Sequence, residues 1–151
     1  MTDASNTGTA LYAGFWRRVV AYIIDAIVLS IVFGIAGAIF GVVAGGANEN
    51  NAGIIASAGA VLYIVLIVGQ WLYFALMESS AKQATLGKMA LSIKVTDLDG
   101  RRIGFGKATG RFFGKIISGI ILYIGFMMAG WTQKKQALHD MMAGTLVVRS
   151  L

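Results

Sequence analysis

Residues 19–44 and 54–77 form two apolar runs of 26 and 24 residues. As helices they measure roughly 39 and 36 Å at about 1.5 Å per residue, enough to cross a bilayer with some tilt. The connecting residues 45–53 are rich in glycine and asparagine and slightly acidic, which suits a short turn on the outer face. Phe15, Trp16, Arg17 and Arg18 stand before the first run. Interfacial aromatics beside basic residues place that end on the cytoplasmic side. The two runs therefore predict an antiparallel transmembrane hairpin with both ends inside. Residues 1–14, small and polar, read as a disordered tail.

After residue 78 the pattern changes. Residues 91–97 (Leu-Ser-Ile-Lys-Val-Thr-Asp) alternate apolar and polar, the period of a half-buried strand. Asp97, Asp99 and Gly100 supply turn chemistry, so residues 101–105 are expected to return as the second strand of a cytoplasmic β-hairpin. Asp97-Leu-Asp99-Gly100 resembles the start of a calcium loop but lacks its later ligands and terminal glutamate. From Gly106 two four-residue stripes run side by side: Gly106, Gly110, Gly114, Ser118, and Lys107, Arg111, Lys115. Positions four apart share a helix face, which gives a smooth seam beside a basic ridge. Lys107 and Lys115 are interfacial candidates for anionic headgroups. Arg111 and Lys115 are also placed to meet carboxylates. Gly37, Gly41 and Gly45 form another small-residue seam, in the first run, suited to close helix packing within or between chains.

A third apolar run, residues 116–131, has 16 residues and is interrupted by Gly119, Gly125 and Gly130. At about 24 Å as a helix it is short for a span. If it crosses, Lys134, Lys135 and Arg149 land outside, against the positive-inside rule. If it re-enters, the tail stays inside and residues 144–149 can pair with 91–97. The charge rule favours the second arrangement. The fold class is thus an α-helical membrane protein: two long transmembrane helices in a hairpin, a shorter third hydrophobic helix that spans or re-enters, and a small cytoplasmic β element. Residues 15–151 read as one domain.

Composition supports this reading and excludes several functions. The chain is 57% hydrophobic and 13% charged, against about 25% charged in soluble domains. It has no cysteine and no proline, so disulfides, thiolate metal sites and proline kinks are absent. The net charge of +6 concentrates beside the apolar runs, with eight Lys/Arg against three Asp/Glu in residues 78–115. That pattern fits anionic headgroups at the inner face rather than nucleic acid. There is no metal-ligand spacing and no Ser/His/Asp constellation. His139 and Asp140 are adjacent, so on a helix they point about 100° apart. Neither an enzyme nor a cofactor is expected.

One residue interrupts the first run: Asp25. A carboxylate at such a position costs about 2.5–3.5 kcal/mol on insertion scales, so it must be paired, solvated or used. Three stretches around it carry a family resemblance: Arg17-Arg-Val-Val-Ala-Tyr-Ile-Ile-Asp25; Thr85-Leu-Gly-Lys88 leading to Ile93-Lys-Val-Thr-Asp97 and Asp99-Gly100; and Gln136-Ala-Leu-His-Asp140 followed by Ala143-Gly-Thr145. In this order they resemble the RDD family of small membrane proteins over roughly residues 15–149. Leu86 departs from the proline that many relatives carry. The resemblance implies that Asp25 and Asp140 are the family's two aspartates, with Arg18, or else Arg17, as its arginine. It also implies a bacterial inner-membrane location, and Na+/H+-type cation antiport as one function.

Two readings follow. In the first, Asp25 carries a proton or monovalent cation, with Gln70, Glu78 and Asp140 supplying further oxygens and a homo-oligomer enclosing the pathway. In the second, the Arg/Asp cluster is structural and the protein is a scaffold, assembly factor or accessory subunit. Arg18 and Asp25 lie roughly 10 Å apart along one helix, so the expected partner of Asp25 is Arg111, Lys115 or a second subunit.

Overall fold

A computed structural model describes residues 11–121 and 124–150. Helix α1 (Phe15–Ala44) and helix α2 (Ala52–Ser79) realise the two long runs. Both are long and apolar enough to cross a membrane. At 30 and 28 residues they measure about 45 and 42 Å, longer than a hydrocarbon core of about 30 Å. Their connection is held by asparagine side chains: the Asn48 N–H donates to Asn51 Oδ1 at 2.7 Å, and Asn50 N–H to Asn48 Oδ1 at 3.0 Å. Away from one end the pair buries almost nothing. Ala21 and Asp25 are the buried residues of α1; Phe74, Ala75 and Glu78 are those of α2. Ile31, Ile35, Ile39, Val61 and Ile64 are well exposed, as helices surrounded by lipid require.

The remaining elements gather at the end where α1 starts and α2 stops. They are α3 (Leu86–Ala90), β1 (Ile93–Asp97), α4 (Phe105–Ile120), α5 (Ile124–Met127), a 3-10 turn (Met128–Gly130), α6 (Leu138–Ala143) and β2 (Thr145–Arg149). Ala13, Ala21, Ala75, Ile93, Val95, Ile103, Ala108 and Val147 make the core of this cap, with Trp71 and Leu91 packed against it. The Trp71 indole N–H donates to Thr109 Oγ1 at 3.2 Å, tying α2 to α4.

The expected β-hairpin is corrected. Residues 101–105 do not return as a strand. The turn closes through Asp97 N–H to the Arg101 carbonyl at 2.9 Å, and Gly104 then caps α4. The partner of β1 is β2, antiparallel, with Val95 opposite Val147. This is the pairing reserved for a tail on the inner side. On the far edge of β2, Tyr12 bridges Val148 and Ala13 N–H donates to the Val147 carbonyl at 2.8 Å. Of the expected tail 1–14, residues 1–10 lie outside the described residues, whereas Ala13 is fully buried.

The two strands flank the third apolar run, residues 116–131, and bring its two ends back to one sheet. The first part of the run belongs to α4, and the helical pieces before and after residues 121–123 are bent by 116°. The tail, as β2, lies beside the segment that joins α2 to α4. At the start of β2, Gly144 takes φ +62°, a left-handed conformation that ends α6 and turns the chain into the strand.

The tightest approach in the fold is Gly87 against α1. A Cβ there would lie 1.9 Å from the Ala21 carbonyl oxygen, whereas one at Gly110 would meet nothing within 4 Å. Gly87→Ala must push α3 off α1 and is expected to lower stability by about 1–3 kcal/mol; Gly110→Ala, in the interior of α4 with room for a methyl group, should raise it by about 0.5–1 kcal/mol. Thermal unfolding of both variants in one detergent checks this, and equal midpoints would contradict the packing described.

Candidate functional site

The polar residues of the chain meet where the cap joins the long helices. Arg111, on α4, is 1% exposed. Its Nε–H donates to Glu78 Oε2 at 2.9 Å, and its Nη1 group bonds Asp140 Oδ1 and Thr145 Oγ1. Asp140 takes its second cation from Arg18, whose guanidinium also donates to the Ala13 and Lys135 carbonyls. Glu78 likewise gathers Lys88 and, at 3.5 Å, Lys115. One connected network thus joins α1, α2, α3, α4 and α6.

Local structure explains these placements. Asp140 is the third residue of α6, and its Oδ2 accepts the Ala137 N–H at 3.0 Å, closing the helix start. Gly114 lets α6 lie against α4: a Cβ there would be 2.9 Å from His139 Cβ. Of the small-residue seam on α4, Gly114 and Ser118 carry this contact, while Gly106 and Gly110 face open space.

Asp25 forms a separate, neighbouring centre. It accepts hydrogen bonds from the Tyr73 hydroxyl at 2.8 Å, the Thr85 hydroxyl at 2.6 Å and the Gly87 N–H at 2.8 Å. The expected basic partner is therefore corrected. Among the described residues no cation lies within ion-pair distance of Asp25, because α3 reaches down to α1 and fills its lone pairs with neutral donors. Thr85 serves twice, since its oxygen also accepts the Lys88 N–H as the cap of α3. Leu86 N–H donates to the Tyr73 oxygen at 3.2 Å. No buried side-chain nitrogen or oxygen among the described residues lacks a partner.

The other candidates lie apart. Arg17 is exposed and, among the described residues, reaches only the Leu91 carbonyl, at 3.4 Å. Lys107 is exposed. Gln70 stands eight residues before Glu78, about 12 Å along α2, in the wall of an apolar cavity. Lys115, for which both headgroups and carboxylates were open, turns inward to a carboxylate: its side chain is 13% exposed, it meets Glu78 at 3.5 Å, and its Nζ sits 4.1 Å from the centre of the Phe74 ring. Tyr73, Thr85, Gly87 and Lys88 are site residues that sequence reasoning did not assign. The available signal was Thr85-x-x-Lys88 itself, a helix-capping threonine followed by a glycine next to a buried face.

Electrostatics in the cap follow from this packing. Burial alone would raise the Asp140 carboxyl, but Arg111 and Arg18 outweigh it and hold the group well below the usual carboxylate range. His139 is pushed down to about 3 by burial, with Asp140 opposing the shift and Arg111, Lys115 and Arg18 adding to it, so it is neutral at pH 7. Burial brings Lys88 down to about 8 against the pull of Glu78. Groups of three or more His, Cys, Asp or Glu arranged for a metal ion are absent among the described residues.

A model of the RDD family matches residues 12–144. The chain belongs to the RDD family. It is 39% identical over 149 residues to the Bacillus subtilis "Uncharacterized protein YxaI", covering 90% of this chain and 96% of that protein. It is 29% identical over 147 residues to the B. subtilis "Uncharacterized membrane protein YteJ", covering 93% and 82%. A stretch of 66 residues is 35% identical to a "Proline-rich antigen homolog" of Mycobacterium tuberculosis, covering 43% of this chain and 28% of that one. No solved structure matches this RDD chain.

The two arginines on Asp140 are expected to dominate the stability of this RDD domain. Asp140→Asn leaves Arg111 short of charge in a dry site and should cost about 3–5 kcal/mol; Arg17→Ala should cost less than about 0.5 kcal/mol. Chemical unfolding of each purified variant tests the contrast. A second prediction concerns acid. The unfolded chain protonates His139 near 6.5, while the folded one resists until about 3. Unfolded protein therefore binds the extra proton, and stability falls as pH drops below 6.5. Asp140 contributes its stability in full above the ordinary value of 3.8 and loses it only below that. Between pH 6.5 and about 5.5 the slope belongs to His139 and approaches about 1.4 kcal/mol per pH unit. Stability measured across this window should flatten in His139→Gln; an unchanged slope would contradict the assignment.

Proposed function

We propose that this RDD protein is a non-transporting component of the cytoplasmic membrane, a scaffold or accessory subunit in which the Arg/Asp cluster is a structural lock. The observation that carries this reading is the closure of the network. Arg18, Arg111, Glu78 and Asp140 satisfy one another across α1, α2, α4 and α6, and the buried polar side-chain atoms described all have partners within the chain. Such a lock fixes the mutual angle of the long helices and holds the cap against their ends. The basic segments near the cap argue for its placement on the cytoplasmic side, with the N-terminus inside.

Cation exchange is the second reading, and Asp25 favours it. This carboxylate stands in α1 and contacts only neutral donors, so a proton or sodium ion would meet no fixed positive charge in direct contact. Against it, an ion would have to displace three hydrogen bonds that tie α1 to α2 and α3. A pathway would also require a second copy, for which the open Gly37 and Gly41 on α1 offer a surface.

Cation-dependent proton flux in proteoliposomes separates the two. The lock predicts no flux above empty vesicles with Na+, Li+ or K+, and an Asp25→Asn variant that unfolds more easily by about 1–3 kcal/mol through weakened bonds to Tyr73, Thr85 and Gly87. Flux in the wild type that vanishes in a stably folded Asp25→Asn protein would replace the lock by the exchanger.

A further inference from the structure

The lock is not electrically balanced. Arg18, Lys88, Arg111 and Lys115 are four cations, facing the three carboxylates Asp25, Glu78 and Asp140. Among the described residues one positive charge is left over in this largely buried cluster, an arrangement that an anion would relieve. The surplus is local. Both Asp140 oxygens are taken by arginines, whereas Lys88 and Lys115 share the single oxygen Oε1 of Glu78. Each ammonium has three N–H donors, so both retain donors after meeting Glu78.

These two lysines face a cavity of about 260 Å³ whose other walls include Ile23, Phe74, Phe126 and Met127. A second cavity, about 500 Å³, is lined by Ile67, Val68 and Phe112. Tyr22, Phe74, Lys115 and Phe126 belong to the walls of both. Lys115 thus lines both cavities. Tyr22, Ile23 and Met127 are about half exposed, so the first cavity opens on the flank of the long helices, the side that meets lipid.

We infer that this paired cavity binds one anionic diacyl phospholipid, its phosphate held by Lys115 and Lys88 and its two chains lying in the two apolar cavities. The phosphate supplies the charge the network lacks, and the chain-lined walls distinguish a lipid from free phosphate. The site rests on the charge arrangement of the network, two of whose lysines it uses, but not on whether the chain transports ions.

The test is lipid retention by native mass spectrometry of the full chain released from detergent after incubation with phosphatidylglycerol, phosphatidylcholine of matched chains, or inorganic phosphate. One phosphatidylglycerol should stay bound, at least about tenfold more tightly than phosphatidylcholine, and millimolar inorganic phosphate should not displace it. Lys115→Gln should lose about tenfold in retention, while Lys107→Gln, at an exposed lysine, should lose none. Met127→Trp fills the apolar entrance without touching an ion pair; it should also lower retention, and it serves if Lys115→Gln does not fold. Equal binding of both lipids would overturn the inference. So would wild-type retention by the Lys115 or Met127 variant, or displacement by inorganic phosphate, which would mark a site for the free anion.

Discussion

Arg111 is the constraint on which the rest of the structure depends. A guanidinium stays charged wherever it is put, so a buried one organises its surroundings or does not fold. Here it takes one carboxylate from the end of α2 and another from the start of α6, and Thr145 at the head of β2 completes its coordination. Three elements distant in sequence are thereby fixed around a single planar group. The register of β2 against β1 follows, because Thr145 opens the strand that pairs with Ile93–Asp97. Burial of ion pairs is weak evidence for stability by itself. Its effect here is specificity: in a lipid-exposed hairpin with little helix-to-helix burial, directional charged contacts set the geometry that apolar packing leaves undetermined.

What was legible in the sequence reflects which interactions are local. The two long helices came from hydropathy and their antiparallel order from the short asparagine-rich turn between them. Asp25 could be singled out because a charge within an apolar stretch is conspicuous, whereas Arg18 and Asp140 rested on the resemblance to the family. Pairing was another matter. Alternation over residues 91–97 shows that a strand exists and has one buried face, but carries no record of its partner. The nearest candidate, 101–105, lost to residues 145–149 because Gly104 opens α4 and draws Phe105 into a helix. The partners of Asp25 were hidden for the same reason. Thr85 and Gly87 are neutral and 60 or more residues away, and the search was for a cation.

Lys115 illustrates the remaining gap. Its place in a stripe with Lys107 and Arg111 correctly marks one helix face, yet the three residues have different fates along that face: Lys107 exposed, Arg111 enclosed, Lys115 turned toward Glu78 and Phe74. The stripe runs from the rim of the cap into the bundle. Periodicity gives the direction of a side chain around the helix but not its depth, and depth is what brings Lys115 to Glu78 and Phe74 while Lys107 stays exposed.

The division of labour between Asp25 and the arginine network then has a physical logic. A carboxylate among three neutral donors and a carboxylate between two guanidiniums are both stabilised, but only the second fixes a partner's charge. Asp25 binds the backbone of α3 to α1 without consuming a cation. Had it been paired with Lys88, that ammonium would have been drawn from Glu78 and the network at α4 would have been left to Arg111 and Lys115. Neutral donors at Asp25 therefore keep all four basic residues on one side, around Glu78, Asp140 and the cavity. The Gly87 N–H can reach Asp25 because no side chain keeps it from α1. That close approach, a local feature of three residues, is what allows the surplus positive charge to accumulate at the cavity.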